Sequence, residues 1–322
     1  MKKSDLLPAW GRILRGYRPL LSIEITKECP LSCPGCYAYG PEHLGNQATL
    51  LQLTDRRGDE LVDGIVAMVR RYRPIHVSIV GGEPMVRWRE LDRLLPKLDA
   101  MGVEVQLVTS AVRPIPEHWA AISSLHLAVS VDGLPEEHDR RRKPATYDRI
   151  LKHIQGQSPI IHCTITAPML RRDTYLLDFA DFWSRRPEVR KIWFSLFTPQ
   201  QNEDCEERLT VPDRHAAVRQ LRSVAARFPK VDMPRAVLDG YLRPPAAPEE
   251  CIFAQSTVCV SADLKTRITP CQFGGRPVCA ECGCMASSGL ASIGRWQLAG
   301  LVPISTLFSL SQKIGNLVGA VA

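Results

Sequence analysis

The chain has 322 residues, enough for one large domain or two modest ones, and 45% of them are hydrophobic and 23% charged. That balance excludes the disordered, collagen-like and coiled-coil classes. The net charge of +7 is mild and scattered apart from a short run from Arg140 to Lys143, so a nucleic-acid partner is not indicated.

The opening MKKSDLLPAWGRILRG has no uninterrupted apolar stretch and no small-residue cleavage site, so it does not read as a secretory signal, and the chain is expected in the cytoplasm. Thiols stay reduced there, and 11 cysteines gathered mainly in two groups are better explained by metal than by disulfides. Six apolar, β-rich runs then follow in order: 19–26, 75–82, 103–110, 125–133, 160–167 and 191–199. Between them apolar residues recur at helical spacing, as at Leu61, Ile65, Met68 and Val69 before the second run and Leu91, Leu94, Leu95 and Leu98 after it. Strand and helix alternate, which predicts an α/β fold of right-handed βα units: a partly open six-unit relative of the TIM barrel, its site in the loops after the strand C-termini. Those loops carry Cys29, Cys33 and Cys36 after the first run, Gly81-Gly82-Glu83-Pro84 after the second, Thr109-Ser110 after the third and Asp132-Gly133 after the fourth.

Past residue 235 the composition becomes proline-rich, and Cys251, Cys259, Cys271, Cys279, Cys282 and Cys284 fall in a stretch too short to bury much core, so a metal staple is expected. The division read from the sequence is an N-terminal extension (1–19), a barrel (20–235), a small cysteine-rich domain (236–289) and an apolar tail (290–322). In the tail, Leu301, Val302, Leu307, Phe308, Ile314, Leu317, Val318 and Val321 recur at three- and four-residue steps and predict a helix with one apolar stripe. Two readings of it stay open. It closes the bottom or open side of the barrel, or it lies in a membrane interface and delivers a lipid or isoprenoid substrate. It is too short and too polar to span a bilayer.

Three thiolates on one loop differ chemically from four. A four-iron cluster held by four thiolates is closed, whereas three leave one iron open for a ligand. The other readings of Cys29, Cys33 and Cys36 are a zinc site completed by a distant residue such as His43, or three unrelated loop cysteines. The C-x3-C-x2-C spacing after the first strand resembles the signature of the radical S-adenosylmethionine (radical SAM) enzymes. The likeness extends over roughly residues 20–200: Gly81, Gly82, Glu83 and Pro84 resemble the family's glycine-rich motif, which receives the amino group of the cofactor's methionine. SVDGLPEEHDRRRKPATYDRILKHI is similar to the segment that would put Ser130 and Asp132 near the cofactor's ribose and Arg142, or else Arg141, on its carboxylate. Thr109 and Ser110 are further candidates. The family's aromatic residue before the third cysteine, which packs on adenine, is Gly35 here, and Tyr37 is the candidate to replace it.

The resemblance implies a [4Fe–4S] cluster on Cys29, Cys33 and Cys36, S-adenosylmethionine on its open iron, and reductive cleavage to a 5′-deoxyadenosyl radical that abstracts hydrogen or adds to an alkene. It also implies an electron donor such as flavodoxin or ferredoxin. The six later cysteines resemble a SPASM or twitch extension holding one auxiliary [4Fe–4S] cluster, with structural zinc as the alternative. Inward strand residues are expected from two-residue alternation at Ser22, Glu24 and Thr26 and at His162, Thr164 and Thr166, as cavity lining or as buried, satisfied polar groups. Substrate is expected to be a lipid or isoprenoid, a peptide or a small metabolite, with peripheral contact to the inner face of the membrane attached to the lipid reading. The residues before the first strand are too few for a leader-recognition domain. A non-catalytic zinc or iron–sulfur binding protein is the rival class.

Overall fold

The computed structural model describes residues 6–45, 48–298 and 302–318. Leu301 and Val321 of the expected tail stripe, and the first five residues, lie outside them. In chain order the elements are α1 Leu6–Leu14, β1 Leu20–Glu24, α2 Gly58–Tyr72, β2 His76–Val80, α3 Trp88–Ala100, β3 Glu104–Thr109, β4 Leu125–Ser130, α4 Pro135–Arg142, α5 Tyr147–His153, β5 Ile160–Ile165, α6 Tyr175–Ser184 and β6 Lys191–Leu196. There follow α7 Val211–Arg227, α8 Arg235–Tyr241, α9 Ile252–Ser256, β7 Thr257–Val260, α10 Met285–Gly294, β8 Gln297–Leu298, β9 Val302–Pro303 and α11 Ile304–Val318.

All six predicted strands form, each a few residues shorter than its apolar run. They build one parallel sheet in the order β6-β5-β4-β3-β2-β1-β7. The helices bury the predicted apolar stripes: Leu61, Ile65 and Val69 of α2, and Leu91, Leu94, Leu95 and Leu98 of α3, are nearly or wholly inaccessible and share one core with the strands. The fold is the expected partial TIM-like barrel with one addition. The seventh strand, β7, comes from the cysteine-rich stretch and pairs with β1, Ser22 opposite Cys259.

This changes the expectation of a separate small domain at 236–289. Beyond β7 the same stretch crosses the open side of the sheet and bonds to the far edge: Leu196 N donates to the Gly283 carbonyl, Val278 N to the Pro199 carbonyl and Gln201 N to the Arg276 carbonyl, at 2.8–2.9 Å. Gly283 makes the seam possible, since a Cβ there would stand 2.1 Å from the Leu196 carbonyl oxygen. The cysteine-rich segment therefore acts as a last stave of the barrel wall.

The tail helix, α11, packs beside α1. Gln312 Nε2 donates to the Gln255 carbonyl at 3.3 Å and Arg18 to the Thr257 carbonyl at 3.1 Å, which seats α11 and the segment after α1 at the N-terminal ends of β1 and β7. The inner face of α11 lies against α1 and α10, and Leu310, Ile314 and Leu317 of its outer face are exposed. The helix sits at the opposite end of the strands from the cysteine loop, so it is not a route for delivering a lipid to that loop.

Candidate active site

β1 ends at Glu24 and the chain turns outward into the loop that carries Cys29, Cys33 and Cys36. Its base is held by apolar contacts: Cys29 and Cys33 pack on Leu31, Val112 and Ala145, and Cys36 with Tyr37 on Ala38, Leu50 and Ala262. Polar contacts hold its flanks. Arg87, on the turn after β2, reaches Asp55 at 2.7 Å and Glu28 at 2.9 Å, and Arg141 donates to the Pro34 carbonyl at 3.3 Å. All three cysteines are free and half-buried, and they line an open cavity of about 1180 Å³ that continues to Phe197 and Gln200–Glu203 after β6. Burial pushes the three thiols up, Cys29 to about 11. Among the described residues no three His, Cys, Asp or Glu side chains converge as they would on a single metal ion. A four-iron cluster takes each thiolate on a different iron and needs no such convergence.

Gly81 and Gly82 let the turn after β2 lie against the loop after β1. Gly82 N donates to the Thr26 carbonyl and Glu83 N to the Glu28 carbonyl, both at 2.8 Å. A Cβ on Gly82 would stand 2.3 Å from the Glu28 carbonyl oxygen, and Gly81 has φ +134°. Pro84 starts a short 3-10 turn capped by Glu83, whose carboxylate accepts from Met85 N at 2.9 Å. The same buried carboxylate accepts from Thr109 Oγ1, from Ser110 N at 2.8 Å and from Ser110 Oγ at 2.6 Å. So Glu83, Thr109 and Ser110 are brought together. The carboxylate's four lone-pair sites are met by these four donors, which makes it the clamp between two strand-end loops.

The basic run on α4 divides into three. Arg140 is exposed, Arg141 donates to Glu207 at 2.8 Å, and Arg142 faces Asp132 through Nε at 2.8 Å. Burial would raise Asp132, but Arg142 and then Arg141 beside it hold its carboxyl below the usual range. The terminal nitrogens of Arg142 form no hydrogen bond among the described residues, and its charge is felt at Cys33 and Cys36. An open guanidinium fork beside the cysteine loop fits a carboxylate ligand. His138 fixes the turn below: its Nδ1 accepts from Asp132 N at 3.0 Å and its Nε2 donates to the Ala145 carbonyl at 2.8 Å. Ser130 stands half-buried at the end of β4, in register with His162.

The inward strand residues are mostly satisfied polar groups. Thr26 Oγ1 donates to Asp55 at 2.6 Å. Glu24, 1% exposed, accepts from Ser261 Oγ at 2.5 Å and from His43 Nε2 at 2.7 Å. His43 Nδ1 meets the Phe273 carbonyl at 3.0 Å. Both ring nitrogens of His43 are thus engaged by oxygens, which fixes the ring between β1 and the segment of Phe273. His162 Nε2 lies 2.8 Å from Ser195 Oγ, and burial lowers its pKa to about 4, leaving a neutral imidazole at pH 7.

Tyr37 packs its ring edgewise on Phe273 at 5.2 Å between centroids and against His43 at 5.8 Å. The ring nearest Gly35 is Phe197, 3.5 Å from where a Gly35 Cβ would be, on the cavity wall. Sequence reasoning missed Phe197, because only the tertiary contact pairs it with Gly35. In the second group, Cys271 packs on the cluster of Cys251 and Phe253, and burial pushes the Cys271 thiol up and that of Cys279 to about 11. Cys284 is driven far up by complete burial, and Cys259, within β7, to about 12.

A model of the radical SAM superfamily matches residues 23–182. The 7-carboxy-7-deazaguanine synthase of Hyperthermus butylicus is 31% identical over 111 residues, which are 33% of this chain and 41% of that enzyme. Among solved structures, Streptococcus suis SuiB bound to precursor peptide SuiA aligns with a TM-score of 0.55 at 13% identity, over 81% of this chain and 61% of SuiB. Native anSMEcpe with bound AdoMet aligns at 0.56 and 17% identity, over 79% of this chain and 74% of that one. The match thus spans about two-fifths of the deazaguanine synthase and less than two-thirds of SuiB, and the structural likeness is one of fold.

Proposed function

Residues 23–182 are a radical SAM domain, and from that premise we propose that the chain holds a [4Fe–4S] cluster on Cys29, Cys33 and Cys36 and cleaves S-adenosylmethionine reductively to act on a substrate in the adjoining cavity. The observation that carries this reading is the set of three free thiols of one loop lining an open cavity at the strand C-termini. When bound, the cluster and S-adenosylmethionine supply one-electron cleavage to a 5′-deoxyadenosyl radical for C–H activation or radical addition. Arg142 would hold the cofactor's carboxylate with its open fork, while Asp132 keeps that guanidinium aimed. Phe197 would wall the adenine beside Gly35. Glu83 keeps the loops after β1, β2 and β3 in register. An electron donor such as flavodoxin or ferredoxin would supply the electron.

For the auxiliary site, six free cysteines within residues 251–284, with Cys271 packed on the cluster that holds Cys251, support one further [4Fe–4S] cluster drawn from this set. For the substrate, the polar side chains of Gln200–Glu203 in the cavity lining support a peptide or small metabolite. SuiB, with a fold of this kind, holds a precursor peptide. Anaerobic reconstitution of the parent chain and of the Cys29→Ala/Cys33→Ala/Cys36→Ala variant tests the proposal. The variant should form no 5′-deoxyadenosine and keep about four irons. Unchanged cleavage would remove the assignment, and zinc in place of the remaining iron would turn the second site into a structural zinc centre.

A further inference from the structure

The two ends of the described chain meet beneath the barrel, far from the cysteine loop. Trp10 Nε1 donates to Ser311 Oγ at 2.6 Å, and a Cβ on Gly315 would stand 2.1 Å from the Ile13 carbonyl oxygen. Trp10 facing Ser311 and Ile13 facing Gly315 make α1 and α11 parallel neighbours, and Ala9, Ile13, Ser311 and Gly315 are the buried seam. On α1, Leu14 follows a seam residue by one position and Leu7 lies two turns before it, so both stand about 100° to one side of the seam. On α11, Leu310 and Ile314 each precede a seam residue by one, about 100° to the other side, and Leu317 continues that stripe. For parallel helices facing each other, rotations of opposite sense turn both stripes to the same side of the pair.

Of the nine large apolar side chains exposed among the described residues, six belong to this end: Leu7, Leu14, Trp296, Leu310, Ile314 and Leu317, the last 86% exposed. The charge is one-sided as well. No Asp or Glu occurs at 6–23 or 282–322, while Arg12, Arg15, Arg18, Arg295 and Lys313 do. Arg15, Arg295 and Lys313 are exposed. Clustered leucines with basic residues and no acidic ones complement an anionic lipid surface. A second copy docking through the same face would set like charges against each other with nothing to neutralise them. No helix of the described residues is long and apolar enough to cross a bilayer.

We propose that the paired outer faces of α1 and α11 seat the protein peripherally on an anionic membrane, with the leucines at the headgroup boundary and Arg15, Arg295 and Lys313 among the headgroups. The cavity lies at the other end of the strands, so the contact anchors the protein and leaves the cavity open to water. This stands or falls independently of the reaction proposed above. Flotation of the reconstituted full chain with phosphatidylcholine vesicles, and with equimolar phosphatidylcholine and phosphatidylglycerol, tests it. Binding should require the anionic lipid and weaken with salt. Lys313→Ser should lower the partition coefficient roughly fivefold, and Leu310→Ser/Ile314→Ser/Leu317→Ser at least about tenfold, both with unchanged melting. If the triple variant melts early, Leu317→Ser alone should still lower binding several-fold. The proposal is overturned if the full chain floats with neither vesicle or equally with both, or if serine at Leu317 leaves binding unchanged. It is equally overturned if light scattering finds a dimer that Leu317→Ser dissolves, which would make the face a self-interface.

Discussion

His43 is the residue whose removal reports most directly on how the site is held. Its ring is buried, bonds Glu24 of β1 at 2.7 Å and the Phe273 carbonyl at 3.0 Å, and its own carbonyl accepts from Gly275 N at 3.1 Å. His43→Ala leaves the Glu24 carboxylate, 1% exposed, with Ser261 as its one remaining side-chain donor. Stripping a partner from a buried carboxylate, leaving it uncompensated, costs about 3–5 kcal/mol. The unsatisfied Phe273 carbonyl is part of the same loss and is not added to it. At roughly 2–4 °C per kcal/mol for a chain of this order of size, the melting temperature should fall by about 10 °C. The assay is anaerobic thermal denaturation of reconstituted protein, with iron content as a second reading. Adding Glu24→Leu to His43→Ala removes the stranded charge and should recover at least half of the loss, since a buried pair replaced by apolar groups is often close to neutral. A fall below about 2 °C in the single variant, or penalties that simply add in the double one, would refute the reasoning.

Two further outcomes follow from the site. Arg142→Lys keeps the charge beside Asp132 but loses the planar fork, so the KM for S-adenosylmethionine should rise about tenfold, equivalent to about 1.4 kcal/mol, in an assay of 5′-deoxyadenosine formation; an unchanged KM would take Arg142 out of the cofactor site. His162 has its pKa lowered from 6.5 to about 4 by burial, so the folded state binds fewer protons than the unfolded one between those values. The stability it contributes is complete above pH 6.5 and declines as pH falls toward 4, by at most about 3 kcal/mol. His162→Gln should flatten the loss of melting temperature between pH 7 and pH 5, and equal slopes in the two proteins would count against it.

The six strands were legible because each is a β-rich run between helical spacings, and the cysteine loop because three thiols at that spacing are rare outside metal sites. β7 was not legible. Thr257–Val260 is four residues long, and it becomes a strand because β1 offers an unpaired edge, a fact of the whole sheet. Glu83 was read from the sequence as a candidate site residue, yet a carboxylate in a sequence does not declare its donors. Only the folded chain shows that Met85, Thr109 and Ser110 fill its lone pairs.

The second group of cysteines was read as an appendage because a short proline-rich stretch has little core of its own. It borrows one: β7 pairs with β1, Gly283 meets β6, and Arg214 at the start of α7 donates to the Cys282 and Tyr241 carbonyls at 3.0 Å. The consequence reaches both groups of thiols. His43, just past the first group, bonds the Phe273 carbonyl, and Gly275 bonds back to His43, at a place where a Cβ on Gly274 would stand 1.9 Å from the His43 carbonyl oxygen. Two backbone segments with no room between them cannot shift independently. Whatever orders Cys271 and Cys279 on one side therefore bears on the loop of Cys29, Cys33 and Cys36 on the other, and the barrel wall is the body that joins them.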